Sequence, residues 1–188
     1  AYIGLEYKFK IGIWTNKPGL YFHWYDLKTQ QLDANYRLSK TLFQPQFTSE
    51  LEFNKSESLE FNYRLENDFP DSNLLANRFS LQGYNSVYKG NALLRNERFH
   101  SARLSYRKMN MYRGITLFAN ANYTKKVRTI RNDVVLSGIN QFSTPVITDN
   151  PETNWSLYGS FEKKIYYFRA GINTSLSWFS YTQTLNDI

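Results

Sequence analysis

The sequence predicts an all-β fold of antiparallel, up-and-down transmembrane β-barrel strands, about eight strands in four hairpins of a larger barrel. Apolar and polar residues alternate along most of the 188 residues, and such alternation marks strands with one buried face. Aromatic residues form 18% of the chain, which favours strands because these side chains fit a pleated surface. Short turns also alternate with long connections, a pattern typical of outer-membrane barrels.

The first two hairpins are predicted to pair residues 2–9 with 13–26 and residues 47–54 with 59–66. Their turns, at residues 10–12 and 55–58, are only a few residues long. One face of the second strand is apolar and carries Trp14, Leu20, Phe22 and Trp24. The third and fourth strands repeat this alternation, so each pair is expected to form an antiparallel hairpin.

The last two hairpins follow the same rule, with predicted strands 98–107 and 114–128, then 154–163 and 166–182. Their turns are expected at residues 108–113 and 164–165. The final strand places one apolar set on a single face, namely Tyr166, Phe168, Ala170, Ile172, Leu176 and Trp178. We expect one β-barrel segment over residues 1–188, with no internal domain boundary.

The connections between hairpins are expected to be long, at residues 27–42, 67–97 and 129–153. In outer-membrane barrels the short turns are periplasmic and the long loops are extracellular. The opposite strand faces carry charges of both signs, which suits a wet or plugged lumen. These charges are Glu50, Glu52, Glu60, Arg64, Arg103, Arg107, Glu162 and Arg169. Long polar side chains could also fill a closed eight-stranded barrel, so that alternative stays open.

Aromatic spacing distinguishes a membrane barrel from a soluble β-sandwich, whose strands also alternate. Trp14 and Trp24 lie ten steps apart on one face, and Tyr166 and Trp178 lie twelve steps apart. At about 3.3 Å per step and a tilt of 35–45°, these pairs differ in height by roughly 25 Å and 30 Å. An apolar band about 25 Å tall between aromatic girdles is the expected dimension. We therefore predict that these four residues form a lipid-facing aromatic girdle.

No motif for catalysis, metal binding or cofactor binding is visible. The chain has no Cys and only two histidines, His23 and His100, in different predicted hairpins. His100 adjoins Ser101, but neighbouring strand residues point to opposite faces. The net charge of +7 comes from scattered Lys and Arg residues, and a scattered charge does not form the basic patch that nucleic acids require. We expect no enzyme, no cofactor, no metal and no nucleic-acid partner.

One segment carries a family resemblance. The run Gly90-Asn91-Ala92-Leu93-Leu94-Arg95-Asn96-Glu97 is similar to the GNPxLKPE element of TonB-dependent outer-membrane receptors. Ala92 and Asn96 stand where that element has proline. The upstream order of Pro45, a turn at 53–56, a return strand from Leu59 and then Pro70 resembles the outer-membrane β-barrel receptors of Bacteroidetes.

The resemblance implies a function in TonB-dependent uptake of a nutrient across the bacterial outer membrane. Receptors of this family have 22 strands, an N-terminal plug and a TonB box. With about eight strands and neither plug nor box visible, the resemblance implies about a third of a barrel. The implied partners are membrane lipid, the rest of the barrel and plug, TonB indirectly through that plug, and a small nutrient ligand. A structural or adhesive small barrel without transport is the alternative. Ligand-binding candidates in the long connections are Arg78, Tyr84, Tyr88, Lys89, Arg95 and Arg131, since cations suit anionic groups and Tyr rings suit apolar faces.

Overall fold

The computed structural model describes residues 1–31 and 34–181. Within them the chain forms twelve strands and one short helix. They are β1 (Tyr2–Glu6), β2 (Phe9–Ile11), β3 (Trp14–Gln31), β4 (Ala34–Asn54), β5 (Glu57–Asp68), α1 (Ser72–Leu75), β6 (Phe79–Gly83), β7 (Ser86–Lys89), β8 (Glu97–Asn110), β9 (Ile115–Ser137), β10 (Asn140–Thr148), β11 (Glu152–Ile165) and β12 (Phe168–Ser180). Among these residues no helix is long and apolar enough to span a bilayer.

The long strands form one antiparallel sheet in chain order. Strands β1 and β2 both pair with β3, so they are the two halves of a single interrupted strand. Across the described residues the sheet then runs from this strand through β3, β4, β5, β8, β9 and β11 to β12. That order contains eight strands in four consecutive hairpins. It confirms the predicted up-and-down arrangement.

Three of the four predicted turns overlap the observed turns at residues 12–13, 55–56 and 111–114, although their bounds differ by one to three residues, and one does not overlap. Gly12 and Gly114 adopt φ values of 61° and 59° in the first and third turns, a conformation that glycine accepts at little cost. The fourth turn lies at residues 166–167, so the predicted turn at 164–165 is wrong. Lys164 and Ile165 remain in the sheet because they pair with Arg169 and Phe168. Tyr166 is therefore a turn residue with φ 51° and not a strand residue.

The predicted connection at residues 27–42 is wrong. Strand β3 continues to Gln31, and β4 begins at Ala34, with the two still in register at that end. The apolar face does not continue into this extension, because the pairs that follow Trp24 on that face are Asp26 with Ser39 and Lys28 with Arg37. Lys28 pairs directly with Arg37, and Arg37 forms an ion pair with Asp26 at 2.8 Å.

The other two predicted connections are partly ordered into a smaller sheet. The C-terminal part of β9, residues 129–137, pairs antiparallel with β10. Strand β10 pairs parallel with β7, and β7 pairs antiparallel with β6. Gly138 makes the turn between β9 and β10 with φ 61°. We call the region formed by residues 69–96 and 129–151 the cap. It lies beyond one end of the long strands.

The two faces of the long sheet differ sharply in chemistry. From β3 to β12, one row of register partners on the apolar face is Pro18, Phe47, Tyr63, Ala102, Tyr123, Trp155 and Trp178. The next row of the polar face is Lys17, Thr48, Asn62, Arg103, Asn122, Ser156 and Ser177. Thr48 donates a hydrogen bond to Asn62 at 2.7 Å, and Asn122 donates one to Ser156 at 3.2 Å.

No described residue covers the apolar face. Leu20, Phe22 and Trp24 are 45%, 43% and 47% exposed, although a soluble protein would bury such a continuous surface. The buried apolar residues instead lie where the cap meets the strands, and they are Leu42, Leu75 and Leu94. Among the described residues, the buried apolar core thus consists of two residues of the cap and one of β4.

Both outer edges of the long sheet are open within the described residues. Strand β12 pairs with β11 alone, and β1 and β2 pair with β3 alone. No register joins β12 to β1, so the eight strands form an open sheet and not a closed ring.

Candidate functional site

The cap is the part of the molecule in which predicted ligand-binding residues and irregular backbone come together. It begins where β5 ends, at Asp68, and folds back over the strand ends through α1, β6 and β7. Tyr25 of β3 packs against Phe69 with ring centroids 4.2 Å apart. The cap is therefore held against the polar face of the sheet, near the ends of the long strands. In a closed barrel, this position would be the mouth.

Gly90 and Asn91, the first residues of the family-like motif, hold the cap together. A Cβ on Gly90 would lie 2.4 Å from the carbonyl oxygen of Ala76, so only glycine fits there. The backbone N–H of Asn91 donates to the carbonyl of Leu74 at 2.7 Å, and its side-chain amide donates to the carbonyl of Pro145 at 3.1 Å. The motif thus joins the α1 segment to β10.

Asn96, at the end of the motif, ties the cap to three long strands. It is 1% exposed. Its oxygen accepts a hydrogen bond from the Lys40 ammonium at 2.5 Å, and its amide donates to Asn67 at 2.8 Å. The adjacent Glu97 accepts the backbone N–H of Ile130 at 2.8 Å. Asparagine in place of proline at position 96 therefore supplies side-chain bonds that proline could not make.

The Lys40 side chain is partly buried and has arginines near it. Burial lowers the pKa of its ammonium, and repulsion from Arg128, Arg95 and Arg98 lowers that pKa further. Its hydrogen bond to Asn96 replaces part of the hydration that it loses. This lysine and its guanidinium neighbours give the junction between cap and strands a positive potential.

One cavity in the cap has the features of a small ligand site. Its volume is about 370 Å³. The lining residues are Asn77, Lys89, Gly90, Asn91, Ala92, Leu93 and Thr144. The ammonium of Lys89 lies 5.2 Å from the centre of the Phe79 ring, which is a cation–π contact. One cation, amide groups and a hydroxyl therefore surround a space that could hold a small anionic or polar group.

The other predicted ligand residues are spread over the cap. Tyr84 lies at the tip of the β6–β7 hairpin and is 98% exposed. Arg78 is exposed before β6, and Arg95 is exposed near Lys40. Burial raises the pKa of Tyr88, whose hydroxyl has no hydrogen-bond partner among residues 1–31 and 34–181. The structure brings only Lys89 of the predicted set into the cavity.

Arg131 lies apart from that cavity. Its guanidinium donates to Glu152 at 2.8 Å and lies 5.2 Å from the centre of the Tyr181 ring. It therefore anchors the C-terminal part of β9 to the start of β11. An incoming anion would have to compete with a nearly buried carboxylate for this guanidinium.

The predicted aromatic girdle occupies two kinds of position. Trp14, Trp24 and Trp178 lie on the apolar face and are 44%, 47% and 53% exposed. The indole N–H of Trp14 donates to Ser49 at 2.6 Å. Tyr166 lies in the β11–β12 turn and is 89% exposed, so strand alternation does not set its direction. That these residues contact lipid stays a prediction.

Sequence reasoning did not identify Lys40, Asn67, Asn77 and Thr144 as parts of the cap and its junction. Lys40 and Asn67 fell inside predicted connections, where no facing can be assigned. The only available signal was the match to the family motif around Asn96, which marked its end as structured.

Neither protein-family models nor curated proteins match this sequence. Among the solved structures that match is the crystal structure of the siderophore receptor PirA from Pseudomonas aeruginosa, with a TM-score of 0.70 and 11% sequence identity. The match covers 96% of this chain and 34% of that receptor, so the chain spans about a third of its length. The likeness shows the fold, which is that of strands from an outer-membrane β-barrel.

Proposed function

We propose that this chain is about a third of the β-barrel of a TonB-dependent receptor in the bacterial outer membrane, which takes up a small nutrient. The observation that carries the proposal is the fold match to a siderophore receptor over 96% of the chain. The Gly90–Glu97 motif supports a TonB-dependent receptor, and the upstream order of Pro45, the turn at 53–56, the strand from Leu59 and Pro70 supports the finer assignment to the Bacteroidetes type. Residues 1–188 would be one barrel segment without an internal domain boundary.

A membrane location is supported by the uncovered apolar face. Its rows of aliphatic and aromatic residues continue across all eight strands, with no second layer among the described residues to bury them. The ring centroids of Tyr123 and Trp155 lie 4.4 Å apart in one row. Aromatic rows at the limits of an apolar band are typical of barrels that span the outer membrane.

A larger barrel is supported by the two open edges. Strand β12 is exposed along its whole length, from Phe168 to Ser180. Each unpaired backbone group in hydrocarbon costs several kcal/mol, so further strands must pair with both edges in a membrane. The two edge strands do not pair with each other in the described residues, which argues against a small closed barrel made from these eight strands alone.

A receptor function is supported by the cap and by the polar face. The cap places a cavity of about 370 Å³ at the mouth, where a ligand would first be captured. The polar face, with rows such as Lys17 to Ser177, would surround a plug in the lumen. TonB would act through that plug. Because the structural neighbour is a siderophore receptor, an iron chelate is the first ligand class to test.

The proposal is tested by energised uptake. Cells carrying the complete gene that encodes this chain would be offered radiolabelled iron chelates, with and without a functional TonB. We expect uptake that is lost in both the gene deletion and the TonB deletion. A barrel that assembles in the outer membrane and leaves uptake of every offered nutrient independent of TonB would contradict a receptor function.

A further inference from the structure

The sheet of the cap ends in an open edge at β6. Within the described residues this strand pairs with β7 alone, and all five of its residues are exposed. Its first three residues, Phe79, Ser80 and Leu81, include neither a charged residue nor a proline, which commonly protect edge strands. A register shift after Leu81 limits the regular edge to these three residues. They present unpaired backbone groups to which another extended chain could pair.

This edge differs from the two edges of the long sheet. Strands β1 and β12 belong to the part proposed to span the membrane, where further barrel strands must pair with them. Strand β6 is joined to the long strands only through β7, β10 and β9, and it lies in the cap. Completing the barrel wall therefore leaves this edge free to pair with a ligand.

An exposed apolar row lies beside the open edge, on one face of the cap sheet. Its register partners are Val135, Phe142, Val87 and Leu81. Leu81, Val135 and Phe142 are 73%, 57% and 40% exposed. Phe79 lies on the same face as Leu81, two residues earlier, and is 68% exposed. A peptide extended along β6 would place every second side chain beside this row.

The cap cavity opens on the same face, at the start of β6. Strand alternation places Lys89 with Val87 and Thr144 with Phe142, and both Lys89 and Thr144 line the cavity. The ammonium of Lys89 lies near the Phe79 ring and hence on the β6 side of its own strand. Within residues 1–31 and 34–181 it forms no ion pair. Its charge is available to an anionic group placed at this end of the edge.

We propose that β6 binds a short extended peptide that adds to the cap sheet as an antiparallel strand and places its C-terminal carboxylate in the cavity. The antiparallel direction brings the C-terminus of the peptide to the Phe79 end of β6, where Lys89 and Thr144 supply donors. Strand addition joined to carboxylate capture is a general mode of peptide recognition. A peptide uses the backbone edge, the apolar row and the cation together, whereas a compact chelate would use the cavity alone. The inference rests on the proposed receptor function and names the ligand class of the same cap.

The experiment uses the complete receptor that contains this chain, purified in detergent and shown to be folded by heat-modifiable migration. The probes are fluorescein-labelled hexapeptides in which serine alternates with valine, leucine or phenylalanine. Each is made with a free C-terminal carboxylate and with a C-terminal amide, and binding is measured by fluorescence anisotropy. We expect the amide to bind about tenfold more weakly, because it loses a hydrogen bond between charged groups.

Backbone methylation tests strand addition directly. In a strand added at an edge, the N–H groups of alternate residues point to β6 and the others point away from it. Methylating one alternate set of peptide nitrogens should weaken binding by at least about tenfold, and methylating the other set should change it by less than about twofold.

Receptor variants test the two parts of the site. Lys89→Gln should bind the carboxylate peptide about tenfold more weakly and should remove its advantage over the amide. Arg95→Gln, a control that removes a cap cation outside the cavity lining, should preserve that advantage. Leu81→Ser should weaken binding of both peptides. Leu136→Ser replaces a leucine that is 66% exposed on the opposite face of the same sheet, and it should leave binding unchanged.

Absence of binding of every probe to the folded receptor would overturn the proposal. Equal effects of the two methylation patterns would overturn strand addition, and equal affinity for carboxylate and amide would overturn the role of the cavity. Binding is measured without TonB, so a loss of energised uptake would count against the proposed function and not against this site.

Discussion

Placing one arginine on each face of β8 tests the facing of the sheet. Leu104 lies on the apolar face between Phe61 and Ala121, and Ser105 lies on the polar face between Glu60 and Asn120. An arginine at the bilayer midplane costs a transmembrane barrel about 2–4 kcal/mol. We therefore expect Leu104→Arg to lower the free energy of unfolding by that amount.

Ser105→Arg should cost much less. It removes the hydrogen bond from Ser105 to Asn120, which is 2.7 Å long and contributes about 0.5–1.5 kcal/mol. The new guanidinium would stand beside Glu60 in a polar, hydrated environment. The predicted difference between the two variants is thus about 1–3 kcal/mol.

The assay is urea unfolding of the complete barrel in lipid vesicles, followed by tryptophan fluorescence. Comparing the midpoints at equal slopes gives the free-energy difference. Equal costs, or a larger cost for Ser105→Arg, would refute the assignment, because a slip of one residue exchanges the two faces.

Further predictions concern the cap. Gly90→Ala should loosen it, since the new Cβ would lie 2.4 Å from the Ala76 carbonyl oxygen; hydrogen exchange should rise in the cap while the barrel stays heat-modifiable, and unchanged protection would contradict this. Asn96→Leu should cost about 1–3 kcal/mol for each partner left unsatisfied, here Lys40 and Asn67, as measured by unfolding against the Asn96→Gln control. The lowered pKa of Lys40 means that folding favours its neutral form. Its cost to stability is full below that lowered pKa and disappears as pH rises towards the ordinary value of 10.5. The stability of Lys40→Met relative to the wild type should therefore fall between neutral pH and pH about 10, and a difference independent of pH would exclude this explanation.

The eight strands and their two faces could be predicted because a strand's side-chain period of two appears directly in the residue order. Segments such as Leu59–Glu66 alternate only if one face meets an apolar environment. The same reasoning failed for residues 27–42, where β3 and β4 continue although the apolar face that includes Trp24 gives way to polar and charged pairs. Backbone pairing there needs no hydrophobic pattern, and Arg37 and Asp26 add an ion pair that residue types alone did not indicate.

The cap could be located from the sequence, but its contacts could not. Asn91 and Asn96 bond to residues 17 to 56 positions away in sequence, and such partners follow from the fold and not from local pattern. The ligand candidates were chosen by residue type within long connections. Residue type gives no position inside a cap, which is why only Lys89 lies at its cavity.

The central claim, that the apolar face meets lipid, is tested most directly by spin labels placed singly at residues 117–123 of β9 in the complete barrel in bilayers. Accessibility to oxygen and to a water-soluble nickel reagent would be measured at each position. We expect strict alternation, with oxygen favoured at Leu117, Ala119, Ala121 and Tyr123 and the nickel reagent favoured at the residues between them. Equal accessibility to the nickel reagent at all seven positions would contradict the account, because both faces of the sheet would then be in water.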